Sequence, residues 1–405
     1  MKLTKLLLLL ISSVLLAFNT SANDTHATAH VDYILQHDSS LGKISPISWV
    51  KVGQLPNPDN FVTSIGISGA YSGFIGNYLI VAGGANFPNG HPFFEQGKKQ
   101  FYSDIFVFDT QNDSVNLVAH GHLPIKAGHG ATLVVDNSLY LIGGKNNNQA
   151  YDSIIKLTLD LNNNPTTDVV DHLPFTWHSG AAAWQNGNIY IFAGEQDGKV
   201  NNQVCQYSLA SQSCVNSEII PAVPGANRTD FPAIHHQGKF YIFGGLNLLA
   251  GKDNYVLTDA YAFNFDNQSW TTLAPITFNK QPFSVTGGGA AVMSNDQLVL
   301  LGGVNRTIFN EAIFQLSTQK NDALAVFKQQ YFSLSEQDIN FSRQQMIYHI
   351  NQNEWSALSD KVPFSGGAGP LTIAQQGNKI YWISGEIKPV IRTPNIYQGT
   401  ILSNQ

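Results

Sequence analysis

The segment that decides the fold is IYWISGE, residues 380–386, in which an apolar run ends in a pair of small residues. Five other segments repeat this pattern. The six copies are YLIVAGG (78–84), LYLIGG (139–144), IYIFAGE (189–195), FYIFGG (240–245), LVLLGG (298–303) and IYWISGE (380–386). Each copy reads as a buried strand, because at least four aliphatic or aromatic residues precede a turn signal. The chain therefore predicts a β unit that recurs six times.

A second element precedes each copy and is rich in Gly, Ala and Ser, as in GHGATLVV (128–135) and GGGAAVM (287–293). Small side chains suit the innermost strand of a blade, where strands crowd towards an axis. A period near 50 residues with a di-glycine resembles the kelch repeat. The 405 residues, with 35 Gly and only 12% charged residues, also favour an all-β chain. We predict a six-bladed kelch-type β-propeller.

The two ends of the chain predict how the ring closes. The last repeat has IYQGTI (396–401) as its third strand and no Trp-containing strand after it, whereas WVKVGQLP (49–56) looks like a fourth strand with no blade before it. We expect the N-terminal strand to complete the last blade, which removes two exposed sheet edges.

One repeat is interrupted by a long insertion, residues 304–342, in blade five. Apolar residues recur there at helical spacing, as at Phe309, Ile313 and Leu316. The insertion therefore predicts one or two short helices that cap a face of the propeller.

The N-terminus predicts a secretory leader. Lys2 and Lys5 precede an apolar run, residues 6–18, and small residues follow it at 20–22. We expect a signal peptide over 1–22, a linker over 23–46 and the propeller over 47–405. The mature protein would then be periplasmic and free of the membrane.

Cys205 and Cys214 are the only cysteines and flank turn-forming residues. In an exported chain they predict one disulfide between neighbouring strands of a hairpin. Two free buried thiols are the alternative. Their spacing fits no metal site.

The chain has four arginines, and the order of strands in a blade predicts that all of them lie on one face of the propeller. A net charge of −6 gives no indication of nucleic-acid binding. Arginine binds carboxylates bidentately, so a mouth that gathers these residues suits a small acidic ligand. The arginines are Arg228, Arg306, Arg343 and Arg392.

Glu386 is the candidate catalytic carboxylate, since the loop ISGEIKPVIRT (383–393) places it six residues before Arg392. Glu195 ends another second strand and reads as a blade-packing residue. His129 and His178 begin first strands on the same face, where they read as structural partners of buried backbone groups.

Four segments resemble a known family: residues 83–108, 302–312, 340–348 and 384–393. They are similar to the motifs of the N-acetylneuraminate epimerases, or sialic acid mutarotases, in a cyclically permuted order. The resemblance implies a periplasmic enzyme that interconverts the α and β anomers of N-acetylneuraminate without a cofactor. It also implies that Glu386 is catalytic. Arg392, Arg228, Asn305 and Arg343 match the family's motif positions.

Mutarotation needs a base at the anomeric hydroxyl and an acid at the ring oxygen. We expect Glu386 to be the base and Arg392 with Arg228 to hold the sugar carboxylate, while Tyr102, His129 and water are candidate proton donors. A non-catalytic protein that binds sialic acid is the main alternative. A protein-interaction platform and a copper-radical oxidase fit the loops and the cysteines less well. The sequence leaves the oligomeric state open.

Overall fold

The computed structural model describes residues 46–57, 64–215, 219–369 and 371–402. The predicted signal peptide, residues 1–22, and residues 23–45 of the predicted linker lie outside the described residues. Their assignments therefore stay predictions.

The described chain forms six four-stranded antiparallel blades, which confirms the predicted six-bladed propeller. Within each blade, successive strands are hydrogen-bonded neighbours. The strands, blade by blade, are Tyr71–Ile75, Tyr78–Ala82, Asp104–Asp109 and Asn116–His122; Ala131–Val135, Ser138–Ile142, Ser153–Leu159 and Pro165–His172; Ala181–Gln185, Asn188–Gln196, Lys199–Ser208 and Ser213–Val215; Ala233–His236, Lys239–Leu246, Val256–Asn264 and Ser269–Thr272; Gly289–Ser294, Gln297–Leu301, Gln345–His349 and Glu354–Ala357; Thr372–Gln376, Lys379–Ile383, Asn395–Ile401 and Ile47–Gln54.

Short elements decorate the blades. Trp177–His178 adds to the second strand of blade three. A 3₁₀ turn spans Gln111–Asp113. Three two-stranded ribbons pair Ala85–Asn86 with Gln100–Phe101, Thr277–Phe278 with Gln281–Pro282, and Glu386–Lys388 with Ile391–Arg392.

The N-terminal strand closes the ring, as the sequence predicts. Ile47–Gln54 pairs antiparallel with Asn395–Ile401 as the outermost strand of blade six. The Trp49 indole donates a 2.7 Å hydrogen bond to Gln345 of blade five and packs edge-on against Trp382. The first strand therefore ties the last two blades together.

The hydrophobic core is divided among the contacts between blades. Six buried clusters each combine side chains of two neighbouring blades, as where Tyr381 of blade six meets Phe74 of blade one. The repeated apolar run of each second strand supplies much of this surface, and Leu79, Ile80 and Val81 are fully buried. Burial of this kind contributes roughly 25 cal/mol per Å² of apolar area, so blade contacts hold the ring together.

The first glycine of the di-glycine in blade one has a packing reason. Gly83 has φ of +64°, and a Cβ there would lie 2.3 Å from the carbonyl oxygen of Ala127 in blade two. At Gly83 a side chain would have to fit both this backbone conformation and the approach of the next blade, whereas blades three and six accept Ala193 (φ 52°) and Ser384 (φ 56°) at the equivalent position.

The insertion in blade five is helical, as predicted, but it forms three helices where the spacing predicts one or two. They span Arg306–Thr318 (α1), Asn321–Phe332 (α2) and Glu336–Ile339 (α3). Phe93 lies in the long loop of blade one, residues 83–103 between its second and third strands, and stacks on Phe332 with ring centroids 4.0 Å apart. The helices therefore reach across the face to blade one. Within the described residues, none of the helices combines the length and the apolar character that a membrane span requires.

Cys205 and Cys214 form a disulfide, with Cα atoms 5.5 Å apart. It joins the third and fourth strands of blade three, as the bridged alternative predicts.

Candidate active site

A ring of six residues surrounds the axis, one residue from each blade, and each has a left-handed backbone. Every one precedes a first strand. In order around the ring they are Gly69 (φ 66°), His129 (63°), Ser179 (56°), Asp230 (53°), Gly287 (75°) and Gly369 (69°).

Backbone hydrogen bonds link this axial ring from blade to blade. His129 donates its N–H to Gly69, Ser179 to His129, and Asp230 to Ser179, over 2.8 to 2.9 Å. Gly287 donates likewise to Asp230 over 2.8 Å. Left-handed backbone costs a residue with a Cβ about 1 kcal/mol or more. Three of the six positions carry side chains despite this cost, and such strain concentrates at functional sites.

A cavity opens at one face, directly over the axial ring. Its wall combines polar and apolar residues and carries five ionisable side chains besides that of Asp230. The cavity is lined by Ser68, Lys99, His129, Lys145, His178, Ser179, Glu195, Thr229, Asp230, Leu246, Leu248, Thr286, Gly287, Val304, Phe309 and Gly369.

Glu386 and Arg392 form a buried ion pair beside this cavity. Arg392 Nη2 lies 2.5 Å from Glu386 Oε1, and the two residues are 1% and 7% exposed. The ribbon that follows the second strand of blade six sets them face to face, because Glu386 pairs with Arg392 across it. Arg392 also donates to Ser68 Oγ over 3.2 Å and lies over the ring of Phe87.

Gly369 lies between the Glu386 carboxylate and the cavity. A Cβ built on Gly369 would lie 2.9 Å from Glu386 Oε2, so a side chain at this position would press on the carboxylate. The absence of a side chain keeps Glu386 next to the cavity. Ser68, which accepts hydrogen bonds from Arg392, lines the same cavity.

Lys99 faces the ion pair from the long loop of blade one. Its Nζ lies 3.3 Å from His129 Nε2 and 5.1 Å from the centre of the Phe101 ring. Burial, followed by repulsion from Arg392 and Lys145, lowers the pKa of Lys99 to about 7. Burial and the nearby cation Lys99 also hold the pKa of His129 well below 6.5, so this imidazole is neutral and accepts a hydrogen bond from Lys99.

His178 and Glu195 form a second polar pair across the cavity, with Nε2 3.4 Å from Oε1. Burial lowers the pKa of His178, and the hydrogen bond from His178 lowers the pKa of Glu195. A neutral His178 imidazole that donates a hydrogen bond to an ionised Glu195 carboxylate is consistent with both lowered pKa values. Burial raises the pKa of Asp230 in the axial ring.

The helical insertion covers the cavity and the ribbon that carries the ion pair. Lys388, within the Glu386–Arg392 ribbon, donates from Nζ to the carbonyl oxygens of Phe332 and Leu334, over 3.3 and 2.6 Å. Phe309 of α1 and Val304 reach the cavity wall. The insertion therefore fixes the ribbon that carries the ion pair.

Arg228 lies apart from Glu386 and is fully buried. Its guanidinium pairs bidentately with Asp259 at 2.8 Å and donates to the carbonyl oxygens of Gly244 and Pro224. The structure therefore does not bring Arg228 to the cavity, and its predicted role in holding the sugar carboxylate stays untested.

Asn305, Arg306 and Arg343 line a different groove, between blade five and the insertion. Asn305 Oδ1 caps α1 by accepting from Ile308 N–H over 3.1 Å. Arg306 donates to the carbonyl oxygen of Asp253, and Arg343 donates to that of Val362. The predicted set thus divides, and only Glu386 and Arg392 lie together beside the cavity. The sugar contacts predicted for the other three stay predictions.

Sequence reasoning missed the lysines and the axial ring. It assigned structural roles to His178 and Glu195, treated His129 as a structural residue or a candidate proton donor, and named neither Lys99 nor Asp230. A usable signal was present. Aligning the six repeats places His129, Ser179 and Asp230 in one column with three glycines.

Comparisons with known proteins agree with the fold and give a family. A sequence model of the N-acetylneuraminate epimerases matches residues 35–165 and 172–405. An N-acetylneuraminate epimerase of Yersinia pestis (strain Pestoides F) is 32% identical over 185 residues, which cover 45% of this chain and 46% of that protein. One from Pasteurella multocida (strain Pm70) is 30% identical over 233 residues, covering 56% and 58%. The chain thus matches about half the length of these relatives.

The solved structure of YjhT superposes with a TM-score of 0.61 over 87% of this chain and 98% of that chain, at 15% identity. At this identity the likeness supports the fold alone.

Proposed function

Because the chain belongs to the N-acetylneuraminate epimerase family, we propose that it interconverts the α and β anomers of N-acetylneuraminate by opening and closing the sugar ring. The observation that carries the proposal is the Glu386–Arg392 ion pair beside a polar cavity that also holds Lys99. These groups supply a base, an acid and positive charge for an acidic sugar.

Glu386 acts as the base in this proposal. Its carboxylate removes the proton from the anomeric hydroxyl, and the electron pair of that oxygen forms the ketone as the bond to the ring oxygen breaks. Arg392, at 2.5 Å, keeps the Glu386 carboxylate oriented. Rotation about the bond to the open ketone and closure with reversed proton transfers give the other anomer.

Lys99 acts as the acid that protonates the leaving ring oxygen. A pKa of about 7 suits this task, because an effective acid has a pKa near the working pH. His129 lies 3.3 Å from the ammonium and orients it. Among the three donors expected from the sequence, His129 becomes a positioning residue, and Tyr102 donates its hydroxyl proton to Asn86 Oδ1 over 2.6 Å instead.

The sugar carboxylate would bind among the cations of the cavity. Lys145 lines the wall next to Lys99, and Arg392 lies behind Ser68. Glu386 is 1% exposed and Arg392 is 7% exposed, so substrate binding must part the wall at Ser68 and Gly369. Arg392 would then exchange one of its present partners for the sugar.

The test is the rate at which freshly released α-N-acetylneuraminate converts to the β anomer, followed by proton NMR. We expect wild type to accelerate this conversion and Glu386→Gln to lose about 100-fold or more of the acceleration. Glu195→Gln is the matched control, because Glu195 also ends a second strand and lines the same cavity. It should retain most of the rate.

Binding measured by calorimetry separates the remaining outcomes. If wild type binds the sugar without acceleration, the protein is a sialic acid-binding propeller and the catalytic proposal fails. If neither binding nor acceleration occurs, the cavity serves a different anion.

A further inference from the structure

The outer strands of blade one carry a second cluster of ionisable side chains, separate from the axial cavity. Asp104 begins the third strand, and His120 and His122 lie near the end of the fourth. The two histidines are two residues apart on one strand, so their side chains project from the same face of the sheet. Asp104 lies directly opposite His122 in the register.

The three side chains converge. One ligand atom from each lies within 4.8 Å of the others, and His120 Nε2 is 2.9 Å from Asp104 Oδ1. In a tetrahedral zinc site, bond lengths of about 2.0 to 2.1 Å put neighbouring ligand atoms roughly 3.3 Å apart. The His120–Asp104 spacing is therefore already close to what a shared metal ion needs. Rotation of the exposed His122 ring supplies the third ligand.

Asp104 gives an independent indication. The residue is 2% exposed, yet its Oδ2 has no hydrogen-bond partner among the described residues. A buried carboxylate oxygen without a partner is costly, and a bound cation is one way to compensate it. Both histidines face solvent, so a metal ion can reach the carboxylate from outside.

Blade two carries only part of this cluster at the equivalent strand positions. In blade two, His172 occupies the place of His122, and its Nδ1 lies 2.9 Å from Asp152 Oδ1. Ser153 occupies the place of Asp104 in that blade. Blade one therefore adds a buried carboxylate and a second imidazole to a site that blade two leaves as a simple pair. Among the described residues, this is the one group of three or more such side chains with convergent ligand atoms.

We propose that Asp104, His120 and His122 bind one divalent transition-metal ion, with Zn²⁺ as the representative. Two imidazoles and a carboxylate suit zinc, and water would complete the coordination shell. The ring of His120 stacks on Phe106, with centroids 5.2 Å apart and planes at 22°, which holds this ligand in place. The ion would link the third and fourth strands of blade one at the outer edge of the propeller.

The test is calorimetric titration of the full chain with ZnCl₂ at pH 7.5. We expect one Zn²⁺ per chain in wild type and an affinity at least about tenfold lower in His120→Gln and in His122→Gln, since each removes one ligand. Both positions are exposed, so these variants should fold. His172→Gln is the matched control and should bind as wild type does.

Co²⁺ provides a second readout, because its visible absorption reports four-coordinate ligation. Loss of these bands in His120→Gln but not in His172→Gln supports the site. The proposal is overturned if wild type takes up no Zn²⁺, if both ligand variants bind like wild type, or if His172→Gln alone loses binding.

Discussion

Replacing Lys99 by arginine or methionine separates an acid from a simple positive charge. With a pKa of about 7, Lys99 is about 90% protonated at pH 6 and about 10% at pH 8. Only the protonated amine can give a proton to the ring oxygen. The enzymatic part of kcat should therefore fall roughly tenfold between pH 6 and pH 8.

Arginine keeps the charge of Lys99 but does not release its proton in this range. Lys99→Arg should hence retain most of the sugar affinity, lose about 100-fold in kcat and show no fall between pH 6 and pH 8. Lys99→Met should lose both the rate and part of the affinity. The assay is the same proton NMR time course, with the uncatalysed rate subtracted at each pH. If Lys99→Arg turns over like wild type, Lys99 acts only through its charge.

Stability gives an independent check on the lowered pKa. Between about pH 7 and pH 10 the unfolded chain holds a proton on Lys99 that the folded chain has lost. The free energy of unfolding gains a positive slope with pH from this residue in that window. Below pH 7 the cost of the buried charge is fully present. The slope should disappear in Lys99→Met, measured by urea unfolding at several pH values, and an unchanged slope would show that Lys99 titrates normally.

Three further outcomes follow from the fold. Ser179→Gly should raise the free energy of unfolding by about 1 kcal/mol, because glycine relieves the left-handed backbone at φ 56°; a lower urea midpoint would mean that the hydroxyl contributes more than the strain costs. Reduction of Cys205–Cys214 should lower stability by roughly 2.5 to 3 kcal/mol, seen as a lower melting temperature with reductant, whereas an unchanged transition would show that the bridge constrains little. Trp49→Ala should cost about 3 kcal/mol in urea unfolding by loosening the closing strand, and a loss below about 1 kcal/mol would contradict that role.

Most of the fold was open to prediction because each blade repeats one pattern. The apolar second strands must pack against two neighbours, so their composition marks them at every repeat. The unmatched strand at each end predicted closure, and residues at helical spacing predicted the insertion. The sequence did not show that the insertion crosses to blade one, since the contact of Phe93 with Phe332 joins segments more than 200 residues apart.

The site was only partly open to prediction. Glu386 and Arg392 are six residues apart, and a tight ribbon brings such neighbours together. Arg228 and Arg343 carry the same charge, but their partners Asp259 and Val362 lie on other segments, and no local pattern reveals such pairing. Lys99 was missed because its pKa depends on burial and on cations from other blades, which only the assembled ring provides.

Closure of the ring by the first strand has a consequence for the order of folding. Ile47 pairs with Ile401, so the last blade needs both ends of the domain. Blades one to five can each form from consecutive sequence as the chain is synthesised, whereas blade six must wait for the final strand. Contacts of such long sequence separation form slowly. Until the N-terminal strand pairs with Asn395–Ile401, that strand is an exposed sheet edge. We therefore expect the pairing of these two strands to be the last step of folding.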